Sequence, residues 1–160
     1  MTSIQKLLNI SSESISNKPY SKVWPDYCND LKFLFESKNG FFAFEQSLHV
    51  FPTTETNISY DLNHWNSNDL WKKEYIGLSV ASMNDLYFFA EDVFGGQFCF
   101  NKNDSKIYTF DPETGLIYFL ANNLEEWAQL ILNDYDYLTG YKISHEWQEK
   151  NGIFKQKKIL

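Results

Sequence analysis

Three histidines are the residues of this 160-residue chain best suited to acid–base or metal chemistry. His49 stands between Leu48 and Val50 in an apolar run. Alternation along a strand places its side chain opposite both neighbours, on the solvent face, and predicts a structural or exposed histidine. His64 stands in a polar segment, and His145 opens a predicted helix. No two histidines have the H-x-x-x-H or H-E-x-x-H spacing of a helical zinc site, so we expect neither a metal nor a catalytic base; convergence in space stays open.

The remaining chemistry-bearing groups also have ordinary structural explanations. Cys28 and Cys99 each lie among large apolar residues and form no C-x-x-C motif, which predicts buried free thiols rather than a disulfide. Gly95-Gly96 lacks phosphate-loop spacing and indicates a bulge or tight turn. The acid pairs Glu91-Asp92 and Glu125-Glu126 could do glycosidase chemistry only in a cleft. We therefore predict no catalytic residues and no cofactor.

The charge composition favours basic partners over nucleic acids. The chain has 21 acidic residues against 14 lysines, no arginine, and a formal net charge of −7. Arginine is the preferred side chain for bidentate phosphate recognition and for reading guanine, so direct nucleic-acid binding is not expected. An AT-rich coding genome explains the missing arginine equally well and leaves the physical consequence unchanged. An acidic protein attracts basic partners.

The negative charge is concentrated in one region of the chain. Ten acids lie between Asp85 and Asp136, where Lys102 and Lys106 are the only bases. Such a segment forms either an ordinary solvated surface or a docking face for a basic protein. Trp65 and Trp71 stand in polar sequence. Each belongs either to the core or to a partly exposed interface. The candidate partner-binding residues are Asp85, Glu91, Asp92, Asp111, Glu113, Trp65 and Trp71.

Helices are predicted on both sides of an extended centre. A short helix over 4–10 precedes a Ser-rich connection, and a longer one runs from Trp24-Pro25 to Asn39-Gly40. A helix over 68–75 follows a predicted hairpin of 41–44 with 48–51. Asn122, with Glu125 three residues on, predicts the start of a helix that ends at Gly140, and another helix covers 144–151.

Strands are predicted over 78–82, 86–90, 97–100, 106–110 and 116–119, separated by turn signals such as Asp111-Pro-Glu-Thr-Gly115. The architecture that follows is an α+β fold, with a single antiparallel sheet of about six strands and helices packed on one face. We expect one domain over 1–160, with a core of about 23–152, an N-terminal helix and Ser-rich connection over 1–22, and a basic tail over 153–160. No stretch resembles a membrane span or a signal peptide, so a soluble, cytoplasmic protein is expected.

The order of these features resembles the SMI1/KNR4 family, also called the SUKH superfamily. The front element is Trp24-Pro-Asp-Tyr27, ending at Asn39-Gly40. Further similarity covers Phe88-Phe-Ala-Glu-Asp-Val-Phe-Gly-Gly-Gln-Phe98 and Ile107-Tyr-Thr-Phe-Asp-Pro-Glu-Thr-Gly115. The rest of the match is Leu124-Glu-Glu-Trp-Ala128, Leu138-Thr-Gly140 and His145-Glu-Trp-Gln148.

The resemblance implies an α+β fold and a non-enzymatic, protein-binding role. Bacterial members of the family are commonly immunity proteins that bind and block a cognate toxin, often a nuclease, and fungal relatives are regulatory scaffolds in cell-wall control. The sequence therefore predicts a cytoplasmic immunity protein that neutralises a basic toxin domain. A regulatory scaffold is the alternative, and a small-ligand-binding protein is a third. The family transfers no catalytic residue to this chain.

Overall fold

An antiparallel sheet of six strands forms the centre of the computed structural model, which describes residues 1–20, 22–76 and 82–152. The strands lie side by side in chain order, and every neighbouring pair is antiparallel. The predicted α+β fold with a single antiparallel sheet is thereby confirmed. Residues 78–81 of the strand predicted over 78–82 lie outside the described residues. The strands are β1 (Phe41–Ala43), β2 (Leu48–Val50), β3 (Leu86–Asp92), β4 (Gln97–Asn101), β5 (Ile107–Phe110) and β6 (Ile117–Ala121).

Short turns join β1 to β2 and connect the last four strands to one another, because left-handed residues stand where the chain reverses. The connection from β2 to β3 is instead the long segment 51–85. Between β5 and β6, the Gly115 backbone N–H donates to the Asp111 carbonyl at 2.8 Å, and Gly115 has a φ of 73°. The turn between β1 and β2 contains no glycine, yet Phe44, Glu45 and Gln46 have φ values of 54°, 54° and 70°. Each such non-glycine residue costs about 1–2 kcal/mol.

Three of the predicted helices are shorter or more interrupted than expected, whereas the last begins at Tyr141, three residues before its predicted start. The helix expected from 24 to 40 begins as a 3-10 helix, because Cys28 leaves the helical region with a φ of −133°. The helix expected over 68–75 contracts to one 3-10 turn. The α-helices are α1 (Ser3–Ile10), α2 (Lys32–Phe35), α3 (Leu62–Trp65), α4 (Leu124–Asn133), α5 (Tyr135–Leu138) and α6 (Tyr141–Asn151); the 3-10 helices are Asp26–Leu31, Lys72–Tyr75 and Met83–Asp85.

The start of α4 differs by one residue from the prediction. The N-cap is Asn123, whose side chain accepts a hydrogen bond from the Glu126 backbone N–H at 2.8 Å. Asn122 instead donates its side-chain amide to the Glu126 carboxylate at 3.0 Å. Two adjacent asparagines compete for the same cap, and the strand that precedes them selects the second. The helix ends at Asn133 rather than at Gly140.

Both faces of the sheet are covered, whereas the sequence predicted helices on one face. On one face, Trp127 of α4 packs against Phe89 and Phe98, with ring centroids 5.1 Å and 5.7 Å away. On the other face, Trp71 packs against Phe88 and Phe110. The helices α1 and α4 contact each other on the first side. The second side is covered by the segment 51–75, which carries α3 and the second 3-10 helix.

Candidate partner-binding site

Two hairpin turns at one end of the sheet bring three of the predicted acids together. The β3–β4 turn carries Asp92, and the β5–β6 turn carries Asp111 and Glu113. The strands alternate in direction, so both turns project from the same end of the sheet. A groove of about 260 Å³ lies between them, and its lining includes all three carboxylates but no lysine. The remaining lining residues are Phe94, Gly96, Gln97, Phe98, Thr109, Phe110, Pro112 and Leu138.

Asp92 shapes the β3–β4 turn from within the groove. Its Oδ1 atom accepts hydrogen bonds from the backbone N–H groups of Phe94 and Gly96, at 2.8 Å and 2.9 Å. A Cβ atom on Gly96 would lie 2.4 Å from Asp92 Oδ2, so a side chain at this position would displace the Asp92 carboxylate. Burial raises the pKa of Asp92 to about 6, although the backbone N–H groups act in the opposite direction. The carboxylate is therefore ionised at neutral pH, although its environment disfavours the charge.

Asp111 holds the second turn in a similar way. Its Oδ1 accepts the backbone N–H of Glu113 at 2.9 Å, and the Glu113 side chain is exposed. The Tyr75 hydroxyl donates to the Pro112 carbonyl at 2.6 Å and fixes the turn against the segment that covers the sheet. Asp111 and Glu113 therefore lie on a turn that hydrogen bonds hold in place.

An exposed aromatic ring forms part of the groove wall. Phe94 is 62% exposed although it is a large apolar residue. Gly140 supports it from below, because a Cβ atom at that glycine would lie 2.5 Å from Phe94 Cε2. The Val93 N–H also donates to the Thr139 carbonyl at 3.3 Å, so the loop that precedes α6 anchors this turn. The groove therefore combines carboxylates with one apolar side chain open to a partner.

The structure leaves two of the predicted acids outside the groove. Asp85 precedes β3, and its carbonyl accepts the backbone N–H of Lys102. At roughly 3.3 Å per strand residue, the length of β3 separates Asp85 from Asp92 by about 20 Å. Glu91 points to the other side of the hairpin, where its carboxylate contacts His49. Asp85 and Glu91 belong to the same acidic segment of the sequence as the groove residues, but the sheet places them at other positions.

Trp65 and Trp71 belong to the core, so neither is available as the partner contact that the sequence offered as a candidate. They are 5% and 9% exposed. The indole N–H of Trp65 donates to Gln97 Oε1 at 2.9 Å, and that of Trp71 donates to the Trp65 carbonyl at 3.1 Å. Polar sequence surrounds them because this segment has one face on the sheet and the other in solvent. The alternative that the sequence left open, a core role, is the one observed.

His49 joins a serine to a carboxylate, an arrangement that the sequence analysis missed. Its Nε2 lies 2.8 Å from Ser59 Oγ, and its Nδ1 lies 2.9 Å from Glu91 Oε2. The order is that of a Ser-His-acid triad. Strand alternation correctly turned His49 away from Leu48 and Val50. The face that it enters is covered rather than solvated, and the side chain is only 12% exposed.

This serine is not presented as a nucleophile. Ser59 is 1% exposed, and its hydroxyl lies 2.8 Å from the Tyr60 carbonyl, to which it can donate. It does not line the acidic groove. A hydrolase requires its nucleophile to reach a substrate carbonyl. The arrangement instead ties β2 and β3 to the segment that covers them.

The other two histidines have separate sets of acidic partners. His145 Nδ1 lies 2.7 Å from Glu45 Oε2, and hydrogen bonding to that carboxylate raises the pKa of His145. Within the described residues, one group could hold a metal ion, because ligand atoms of Glu55, Asp61 and His64 lie within 4.8 Å of one another. His64 Nδ1 is 2.7 Å from Asp61 Oδ1, so a hydrogen bond between the two side chains accounts for the same contact.

Comparison of the chain with protein-family models, with curated proteins and with solved structures finds no match. None of the helices in the described ranges of the chain is long and apolar enough to cross a membrane.

Proposed function

We propose that this protein is a non-enzymatic binding domain that acts as an immunity protein, using the acidic groove to bind and neutralise a basic toxin domain in the cytoplasm. One observation carries the proposal: Asp92, Asp111 and Glu113 share a groove that has no lysine in its lining. The α+β fold is the fold that the SMI1/KNR4 resemblance implies. The function itself rests on the groove and on that resemblance.

The charges of the groove suit a cationic segment. Opposite charges that meet at a protein interface accelerate association and exclude like-charged partners. Toxins that cleave nucleic acids need positive clefts, because they must bind phosphate backbones. A negatively charged surface with fixed carboxylates can occupy such a cleft in place of the nucleic acid. The protein's own net charge of −7 adds long-range attraction in the same direction.

The exposed Phe94 ring adds an apolar contact to the charged groups of the groove. Interface hot spots combine a buried aromatic anchor with surrounding polar groups. Phe94, which is 62% exposed, can become such an anchor when a partner covers it. We therefore expect the partner to offer a lysine or arginine beside an apolar pocket. This requirement distinguishes a specific toxin from any basic protein that the net charge alone attracts.

The test is co-expression with the product of the adjacent gene, followed by pull-down and growth rescue. Asp111→Asn with Glu113→Lys removes the groove charge, and asparagine keeps the side-chain oxygen that accepts the Glu113 N–H. We expect about a tenfold loss of toxin affinity and a shallower salt dependence. Glu36→Lys, at an exposed acid on the α2 side, is the control; it makes the net charge less negative by two, against three for the groove variant.

The proposal fails if the groove variant binds and protects like the wild type, or if Glu36→Lys weakens binding equally. Equal loss in both variants would show that net charge, rather than the groove, determines affinity. A regulatory scaffold would be indicated instead if the adjacent gene product is not toxic and an identified endogenous protein binds at the groove.

A further inference from the structure

The described residues cover one edge of the sheet and leave the other uncovered. The outer edge of β1 is covered by the N-terminal segment: the Ser12 N–H donates to the Phe42 carbonyl at 2.7 Å, and the Ile15 N–H donates to the Gly40 carbonyl at 3.0 Å. Ser16 continues this contact by bridging to Asn39. An edge covered in this way cannot pair with another molecule.

The outer edge of β6 has no such cover in the ranges 1–20, 22–76 and 82–152. Within those residues, β6 pairs with β5 and with no other backbone segment. Tyr118 and Phe119 are each 54% exposed. The strand Ile117–Ala121 contains no charge, proline or glycine, which are the features that commonly protect an edge strand from pairing. Among the residues that the structure describes, the outer backbone edge of β6 and the side chains of Tyr118 and Phe119 are therefore open to another strand.

From this we infer that β6 accepts an extended segment of the partner as a seventh strand, and that a basic end of that segment lies at the acidic groove. The inference rests on the proposed function and adds the mode of binding. The β5–β6 turn connects the two features, because Asp111 and Glu113 stand directly before β6. A strand laid along β6 therefore has one end beside these carboxylates. Backbone hydrogen bonds would supply affinity, and the charged end would set direction.

A second copy of this chain is the less suitable occupant. The segment 107–141, which flanks β6 on both sides, contains six acids and no lysine. A second β6 would bring that acidic segment to an edge that already stands beside carboxylates. Like charges brought together at an interface oppose association. An apolar strand with lysine or arginine at one end avoids this repulsion and neutralises the groove.

The test uses the whole protein and a synthetic peptide of two lysines followed by seven alternating valines and threonines. Two further peptides carry N-methyl groups on alternate backbone amides, one on the odd positions and one on the even positions of the strand. Only one set of amides faces β6 in a paired strand. We expect one methylated peptide to lose at least tenfold in affinity, and the other to bind within about twofold of the parent.

Hydrogen exchange gives a second readout without any change to the protein. We expect the parent peptide to slow amide exchange within 117–121 and not within β1. The inference is overturned if both methylated peptides bind like the parent, if both lose affinity equally, or if 117–121 gains no protection. It is also overturned if the protein forms a dimer that protects 117–121.

These outcomes are separate from those of the proposed function. In one outcome, the toxin binds the wild type and not the groove variant, while the peptide neither pairs with β6 nor protects it from exchange. In that case the immunity role stands and strand addition is wrong. If the peptide pairs with β6 but no adjacent toxin binds, the immunity role is wrong and the edge remains a binding surface.

Discussion

His49 Nδ1 lies 2.9 Å from Glu91 Oε2, across the pairing of β2 with β3. The two residues are direct cross-strand neighbours, and their contact continues to Ser59 on the covering segment. Glu91, which the sequence predicted as a candidate partner contact, is therefore hydrogen-bonded within the protein. The contact explains why Glu91 and Asp92, adjacent in sequence, have different roles.

Glu91→Ala should destabilise the fold without altering partner binding. Removal of the carboxylate leaves the largely buried His49 ring without its acceptor, at a cost of about 1–3 kcal/mol. Glu113→Ala, at an exposed position, should change the free energy of unfolding by less than about 0.5 kcal/mol. Urea unfolding of the two variants is the measurement. Equal stabilities would show that the His49 contact contributes nothing.

Asp92→Asn should stabilise the protein at neutral pH. The pKa of Asp92 rises from 3.8 to about 6 in the folded protein, so the folded state binds the proton more tightly than the unfolded chain. Its stabilising contribution is complete below pH 3.8 and is lost as the pH rises through about 6. At pH 7.5 the ionised carboxylate therefore costs about 1–3 kcal/mol.

Asparagine retains the oxygen that accepts the Phe94 and Gly96 N–H groups, so the turn should persist in this variant. Urea unfolding at about pH 4.5 and pH 7.5 should show a smaller difference between the two pH values for the variant than for the wild type. A variant less stable than the wild type at pH 7.5 would contradict the argument, because the hydrogen bonds to the charged form would then outweigh burial.

Gly140→Ala and Gly95→Ala form a matched pair. Both glycines have positive φ, 75° and 86°, so an alanine is strained at either position by about 1–2 kcal/mol. A Cβ at Gly140 would also lie 2.5 Å from the Phe94 ring, whereas none of the described atoms lies within 4 Å of one at Gly95. Gly140→Ala should therefore cost more stability and displace Phe94.

The pair also tests the role of the aromatic wall. If Phe94 anchors the partner, Gly140→Ala should weaken toxin binding about tenfold or more, and Gly95→Ala should weaken it less. Unfolding in urea and binding at one salt concentration provide the two measurements. Identical losses for both variants would indicate that the support of Phe94 by Gly140 has no consequence.

The two thiols should be unreactive in the folded protein. Cys28 and Cys99 are free and 0% exposed, which confirms the prediction of buried free thiols. Burial raises the pKa of Cys28 to about 12 and that of Cys99 further, so neither forms the reactive thiolate at pH 8. Reaction with a disulfide reagent should occur only in urea, for both thiols together. Rapid labelling of either one in native buffer would contradict this.

Local signals in the sequence determined the order of strands in the meander. The turn Asp111-Pro-Glu-Thr-Gly115 and the alternating runs before and after it fix their own conformation, because turn residues and strand period act between neighbours in the chain. The same locality explains the near miss at α4, where Asn122 and Asn123 are equally good caps and the preceding strand decides between them. The burial of both cysteines also followed from their neighbours.

Tertiary structure alone decided which of these residues meet. Nothing in the local pattern shows that a polar segment covers the second face of the sheet, so Trp65 became core and His49 entered a buried network. The groove, too, depends on strand order: two turns about twenty residues apart carry its carboxylates, and an antiparallel meander brings them to one end. Contacts of this kind depend on pairing between strands that are distant in sequence. The number of acidic residues in a segment does not show which strands pair, so it cannot predict which carboxylates meet.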